Sequence, residues 1–146
     1  FITTLVNEAG GLPDGFVVLH ENDYYLLAEH AADKVVIARR KPGDLLDADK
    51  LARAFAEMFP LIRADHREFG LLLDARAARG NNDGDFESQV KSVNKMLGAA
   101  FRRVVTVVRT EVGRLQTQRL INETGGQDRF FVTTDADEGL TLAGQA

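Results

Sequence analysis

The chain has 146 residues, 22 of them acidic and 18 basic, for a formal charge of −4, and it has no cysteine. One domain with one core fits that length, and such a core buries roughly 68–70% of the unfolded surface. The charges are spread evenly, so no basic arm or stripe offers an electrostatic footprint for nucleic acid. Without cysteine there are no disulfides, thiolate nucleophiles or Cys-based zinc sites, and a reducing cytoplasm is the expected location.

Apolar runs such as Val104 to Val108 fall far below the ~20 residues of a membrane-spanning helix. Phe1 to Gly15 begins without Met and lacks the basic start and apolar middle of a signal peptide, and it reads as a trimmed or processed start. It closes on Gly10-Gly11-Leu12-Pro13-Asp14-Gly15, a cluster of turn residues. Residues 1–15 are therefore expected to form a leader or edge segment, and residues 16–146 a single domain.

Phe16 to Leu19, Asp23 to Ala31 and Val35 to Arg40 are rich in β-branched, aromatic and leucine residues, which predicts a hairpin or meander with its first turn at His20 to Asp23. Lys41-Pro42-Gly43-Asp44 breaks the pattern. Asp47 then caps a helix through about Ile62, with Leu51, Ala54, Phe55, Met58 and Ile62 at helical spacing and Pro60 disturbing its end. Phe69 to Asp74 is an apolar run ending in a carboxylate, the form of a central strand covered on both faces.

Asn82 or Asp83 is expected to cap the next helix, whose apolar face is Phe86, Val90, Val93 and Leu97. Val104 to Val108 is a second buried strand with Arg109 and Thr110 at its carboxyl end. Gly113 to Thr124 forms a shorter, polar helix with Leu115, Leu120 and Ile121 as its apolar contribution, stopped by Gly125-Gly126. Arg129 to Thr134 is the last strand, and Asp135 caps a short helix to about Leu142. The order predicts an α/β fold: a single mixed, mostly parallel sheet of four to five strands with an antiparallel N-terminal strand and helices mainly on one face.

Ligands of open α/β sheets bind beyond the carboxyl ends of strands, which directs attention to Asp74, Arg76, Arg109, Thr110, Thr133 and Asp135. An Asp74–Arg109 pair in a shallow cleft could bind a phosphate or a partner's polar group, against the plainer reading that these residues solvate strand ends. A phospho-accepting role for Asp74 fails because the early acidic pair that binds Mg²⁺ is missing. The loop Gly80 to Asp85 fails as a calcium site, since Arg79 and Val90 would fall on ligand positions.

His20, His30 and His66 lack metal-ligand spacing, so no metal is expected. No nucleophile elbow, Walker loop or dinucleotide fingerprint occurs, and no cofactor is expected. Glu111-Val112-Gly113-Arg114 opens a helix where backbone N–H groups could hold an anion. The polar helix that follows reads as a solvated face that also suits a protein interface.

Gly70-Leu71-Leu72-Leu73-Asp74-Ala75-Arg76, Asn82-Asp83 before the helix at Phe86, Val107-Val108-Arg109-Thr110 and Phe130-Phe131-Val132 follow the element order of the STAS domain. From about Tyr24 to Ala143 the chain resembles that family, and within it bacterial STAS-like proteins similar to the anti-sigma-factor antagonists. The resemblance implies a non-enzymatic interaction or regulatory domain that binds a partner through a loop and helix start. In antagonists that turn holds a phosphorylatable Ser or Thr in an Asp-Ser-Ser-Gly-like sequence. Here it reads Asn81-Asn82-Asp83-Gly84-Asp85, with Ser88 already inside the helix, so Asp83 would hold the surface permanently charged.

The expected role is therefore a cytoplasmic protein-interaction module. Its candidate partner- or ligand-binding residues are Asp74, Arg76, Asn81, Asn82, Asp83, Ser88, Arg109 and Thr110, and self-association is left open. The alternatives are a small-ligand module for a nucleotide or lipid, as STAS and the related CRAL-TRIO folds host, and an enzyme using Asp74 and Arg109. A deep apolar pocket favours ligand or enzyme, whereas a shallow cleft beside an exposed apolar patch favours a protein partner.

Overall fold

The computed structural model describes residues 11–43 and 45–145, so the expectations for Phe1 to Gly10 and for Asp44 lie outside the described residues. One six-stranded sheet runs in simple chain order. Strands β1 (Val17–Glu21), β2 (Tyr25–His30) and β3 (Val35–Arg40) form an antiparallel meander. From β3 onward, β4 (Gly70–Asp74), β5 (Arg103–Val107) and β6 (Phe130–Thr133) run parallel.

The sheet thus has six strands rather than four to five, and two of its strand pairings are antiparallel. The expected turn at His20 begins later than the sequence suggests. His20 and Glu21 belong to β1, and the reversal is made by Asn22, whose side-chain oxygen accepts the N–H groups of Tyr24 at 2.9 Å and Tyr25 at 2.8 Å. Such a local side-chain bond lets an Asn turn the chain without help from Gly. The register of β1 against β2 shifts between Val18 and His20, a bulge in the outermost strand.

Three helices join the parallel strands: α1 (Ala48–Met58), α2 (Gly84–Ala100) and α3 (Glu111–Thr124). Crossovers of one hand between strands in consecutive order place all three on one face. There Leu51, Phe55, Met58, Val93, Leu97 and Ile121 pack on Leu27, Val36, Ala38, Leu71 and Val104. Helix α4 (Ala136–Gly144) follows the last strand and lies on the opposite face, where Leu140 and Ala143 pack on Val35, Ile37, Leu72, Val105 and Val107. Leu12 and Phe16 join that second core. In β4, Leu71 faces one core and Leu72 the other, which explains why the strand reads as a continuous apolar run.

Asp47 caps α1 by accepting the Lys50 N–H at 2.8 Å. The helix stops at Met58 rather than Ile62, and Phe59–Leu61 turns into a 3-10 helix because Pro60 has no N–H to continue the ladder. A second 3-10 turn, Ala64–Glu68, is locked by His66. Its Nδ1 accepts the Arg63 N–H at 3.0 Å, which leaves Nε2–H to donate to Glu29 at 2.6 Å. Burial pushes the Glu29 carboxyl up, but hydrogen bonds from Arg63 and His66 outweigh it and hold that carboxyl below the usual range.

Helix α4 is seated without spare room. A Cβ at Gly139 would lie 2.6 Å from Val107 Cγ2, and one at Gly70 would lie 1.8 Å from the Ala143 carbonyl oxygen. The last carbonyls of α4 are taken by two guanidinium groups: Arg102 donates to Ala143 O at 3.0 Å and Arg103 to Leu142 O at 2.8 Å. Cations at a helix C-terminus satisfy its orphan acceptors and its dipole together.

Candidate functional site

The carboxyl ends of β4 and β5 open into a cavity of about 540 Å³ between the sheet and helices α1, α2 and α3. Its walls are mainly apolar: Leu51 and Phe55 from α1, Leu73 from β4, Phe86, Val90 and Val93 from α2, and Leu120 and Ile121 from α3. Phe86 and Val90 belong to the predicted apolar face of α2, but only Val93 and Leu97 on that face are fully buried. The first half of the face borders this void.

Among the residues singled out from sequence, Asp74, Asn81, Asn82, Arg109 and Thr110 line the cavity, whereas Arg76, Asp83 and Ser88 do not. Asp74 takes different partners from the one foreseen. Its carboxylate accepts Arg39 Nε at 3.0 Å, Arg76 Nε at 2.8 Å and Arg76 Nη2 at 2.8 Å, while its side chain is fully enclosed. Arg109 is exposed and has a contact of its own.

Two guanidinium groups on one enclosed carboxylate hold Asp74 as a structural anion, and its oxygens also fix the Arg76 N–H at the start of the next loop. Arg39 was invisible as a partner from sequence because it lies 35 residues away, at the end of the neighbouring parallel strand.

The loop to α2 is held by Asn81, not by Asn82 or Asp83. Asn81 Nδ2 donates to Leu46 O at 2.9 Å, and Asn81 Oδ1 accepts the Asp83 N–H at 2.9 Å. Asp83 occupies the cap position of α2, yet its side chain makes no capping bond. Thr110 has a local explanation as the cap of α3, accepting the Gly113 N–H at 3.0 Å.

Helix α3 is tied to α2 by ion pairs. Arg119 meets Glu87 at 2.6 Å and Lys91 meets Glu123 at 2.6 Å, and each pair is 32 residues apart in sequence. Both pairs draw on the second half of α3, whereas Val112 of its opening turn lines the cavity. Val112 and Leu115, on that turn, are 66% and 57% exposed. Leu115, counted with Leu120 and Ile121 in the apolar contribution of this helix, lies off their face and is exposed.

Five neutral polar side chains of the lining were not among the candidate site residues: Tyr25, Asn94, Thr106, Gln116 and Thr117. Tyr25 packs edge-on against Phe55 with ring centroids 4.9 Å apart. Burial pushes its phenol up to about 12 against the opposing pull of Arg40, so it stays a neutral hydrogen-bonding group. Thr106 interrupts the valines of β5 on the same sheet face as Leu73 and Ala38, and a hydroxyl at such a position was the one legible signal. Among the described residues no cluster of His, Asp and Glu could hold a metal ion, and no helix is long and apolar enough to cross a membrane.

This architecture is a SpoIIAA-like fold, the fold of STAS domains and anti-sigma-factor antagonists. The chain is similar to an uncharacterized protein of the DUF3478 family with a SpoIIAA-like fold from Shewanella loihica PV-4. The two superpose with a TM-score of 0.50 at 16% identity, over 88% of this chain and 91% of that one. No protein-family model and no curated protein matches the sequence.

Proposed function

We propose that the protein is a binding module for a small, largely apolar ligand, built on a STAS-like frame. The observation that carries this reading is the cavity of about 540 Å³, which lies in the range that encloses drug-sized molecules and sits where open α/β sheets place their ligands. Its apolar walls supply affinity, and its few polar side chains supply orientation. Asp74 supports this reading over a catalytic one, because both its oxygens are committed to Arg39 and Arg76.

A thermal-shift screen against nucleotides and lipids tests the module. A true ligand at a hundredfold excess over its dissociation constant stabilises by about 2.7 kcal/mol. A flat response to every class would remove the proposal.

A second reading, a surface for a protein partner, is favoured by two exposed apolar side chains near the start of α3, Val112 in the cavity lining and Leu115 beyond it. Affinity capture from the source lysate should then recover one specific protein with wild type and lose it with Val112→Ser/Leu115→Ser. The permanently charged Asp83 suggested by the family resemblance belongs to this reading, and unchanged capture by Asp83→Ser would end it.

A further inference from the structure

Of the residues that line the cavity, four are charged: Asp74, Arg79, Glu87 and Arg109. The two carboxylates are committed to arginines, Asp74 to Arg39 and Arg76, and Glu87 to Arg119. Arg109 has its own contact. Arg79 differs from all three, for it is exposed and has no ion-pair or hydrogen-bond partner among the described residues. The nearest acidic residues in sequence, Asp83 and Asp85, are exposed at the start of α2 and stand outside the lining.

Arg79 sits in a run of consecutive lining residues, Ala78 to Asn82, so the loop after β4 forms one rim of the cavity. The walls behind that rim are apolar, with Leu51, Phe55, Val93 and Ile121 buried. The remaining polar side chains of the lining are amides and hydroxyls, Asn82 and Thr117 among them. They hydrogen-bond to an acid and to a neutral alcohol alike, and so set no preference for charge.

A charge carried into the apolar part would lose its hydration, whereas one left at an exposed rim keeps most of it. A guanidinium at that rim offers a planar fork of N–H donors that matches a carboxylate or a phosphate. Resting on the ligand-binding reading above, we infer that the ligand is an amphiphile: an apolar body with one acid group, carboxylate or phosphate. The apolar body fills the space between the sheet and helices α1, α2 and α3, and the acid stays at the mouth against Arg79. A neutral molecule of the same length buries the same surface and forgoes that contact.

Decanoate, decyl phosphate and decanol share one chain and differ in the head group. Titration calorimetry at low salt compares them on wild type, Arg79→Gln and Val90→Trp, with circular dichroism to check that both variants are folded. On wild type at least one acid should bind more tightly than decanol by roughly fivefold, the worth of an exposed ion pair. The acid that gains most identifies the head group. Arg79→Gln should abolish the preference and leave decanol unchanged, and concentrated salt should do the same. Val90→Trp, which fills the void, should weaken all three.

Equal binding of acids and alcohol to wild type, a preference that survives Arg79→Gln, or undiminished binding to Val90→Trp overturns the inference. Failure of all three probes to bind wild type overturns it too. The ligand reading itself falls only when the wider thermal-shift screen is also flat, so the two failures are told apart.

Discussion

Helices α3 and α4 flank the same last strand from opposite faces, and they are held by opposite means. Helix α4 has Leu140 and Ala143 buried, lies so close to the sheet that Gly139 and Gly70 admit no side chain, and has its final carbonyls bound by Arg102 and Arg103. Helix α3 buries only Ile121, borders a cavity, and is tied to α2 by the Arg119–Glu87 and Lys91–Glu123 pairs. Close packing has no slack, whereas exposed ion pairs are weak and adjustable. The difference separates a face that fixes the fold from one that can accommodate a molecule.

Four perturbations bear on that contrast. The largest effect is expected at Asp74→Asn, which leaves the buried Arg39 without its anion and should cost roughly 3–5 kcal/mol in chemical denaturation. A loss confined to a few tenths would mean that the enclosed pair does not secure the strand ends. Next, Leu140→Ala should cost about 2–5 kcal/mol, and Ile121→Ala should fall at or below the bottom of that range, because Ile121 already faces empty space on one side. Equal costs would erase the distinction between the two helices.

Gly139→Ala should cost ~1–3 kcal/mol through overpacking against Val107, read as a lower melting temperature. The smallest effect is acid-dependent. Hydrogen bonds from Lys91 and Arg119 hold the Glu123 carboxyl below its usual value. A carboxyl depressed in the folded state adds stability above its unfolded pKa and loses it as pH falls through the folded one. The α2–α3 tether should therefore weaken as pH falls below the ordinary glutamate value of about 4.3, and the wild-type advantage over Glu123→Gln in melting temperature should vanish once pH is below the depressed folded value, or in concentrated salt.

Much of this fold could be read from the chain because its strongest patterns are local. The run Gly70 to Asp74 is apolar because both faces of β4 are covered, and Asp47 and Thr110 cap helices three residues ahead of the N–H groups they bind. The site was less legible for two physical reasons. Its anchoring pair joins Arg39 to Asp74 across neighbouring strands, a contact that no local spacing encodes. A void, moreover, leaves no residue of its own: Phe86, Val90 and Val93 have the same periodicity as Leu97, yet the first three border the cavity and only Leu97 is clear of it. Leu115 is a different case: it stands five and six residues before Leu120 and Ile121, off their helical face, and is exposed.

The irregular register between Val18 and His20 bears on how the molecule behaves in crowded solution. An outer strand with apolar Val17 and Val18 in the open is a template onto which another chain can add in β-form. The extra residue at the bulge bends that rim and breaks the even spacing of its free amide and carbonyl groups. The Glu21–Lys41 ion pair then places charge at its end. An incoming strand finds a short, kinked and charged margin, which discourages edge-to-edge growth into fibres without burying the two valines.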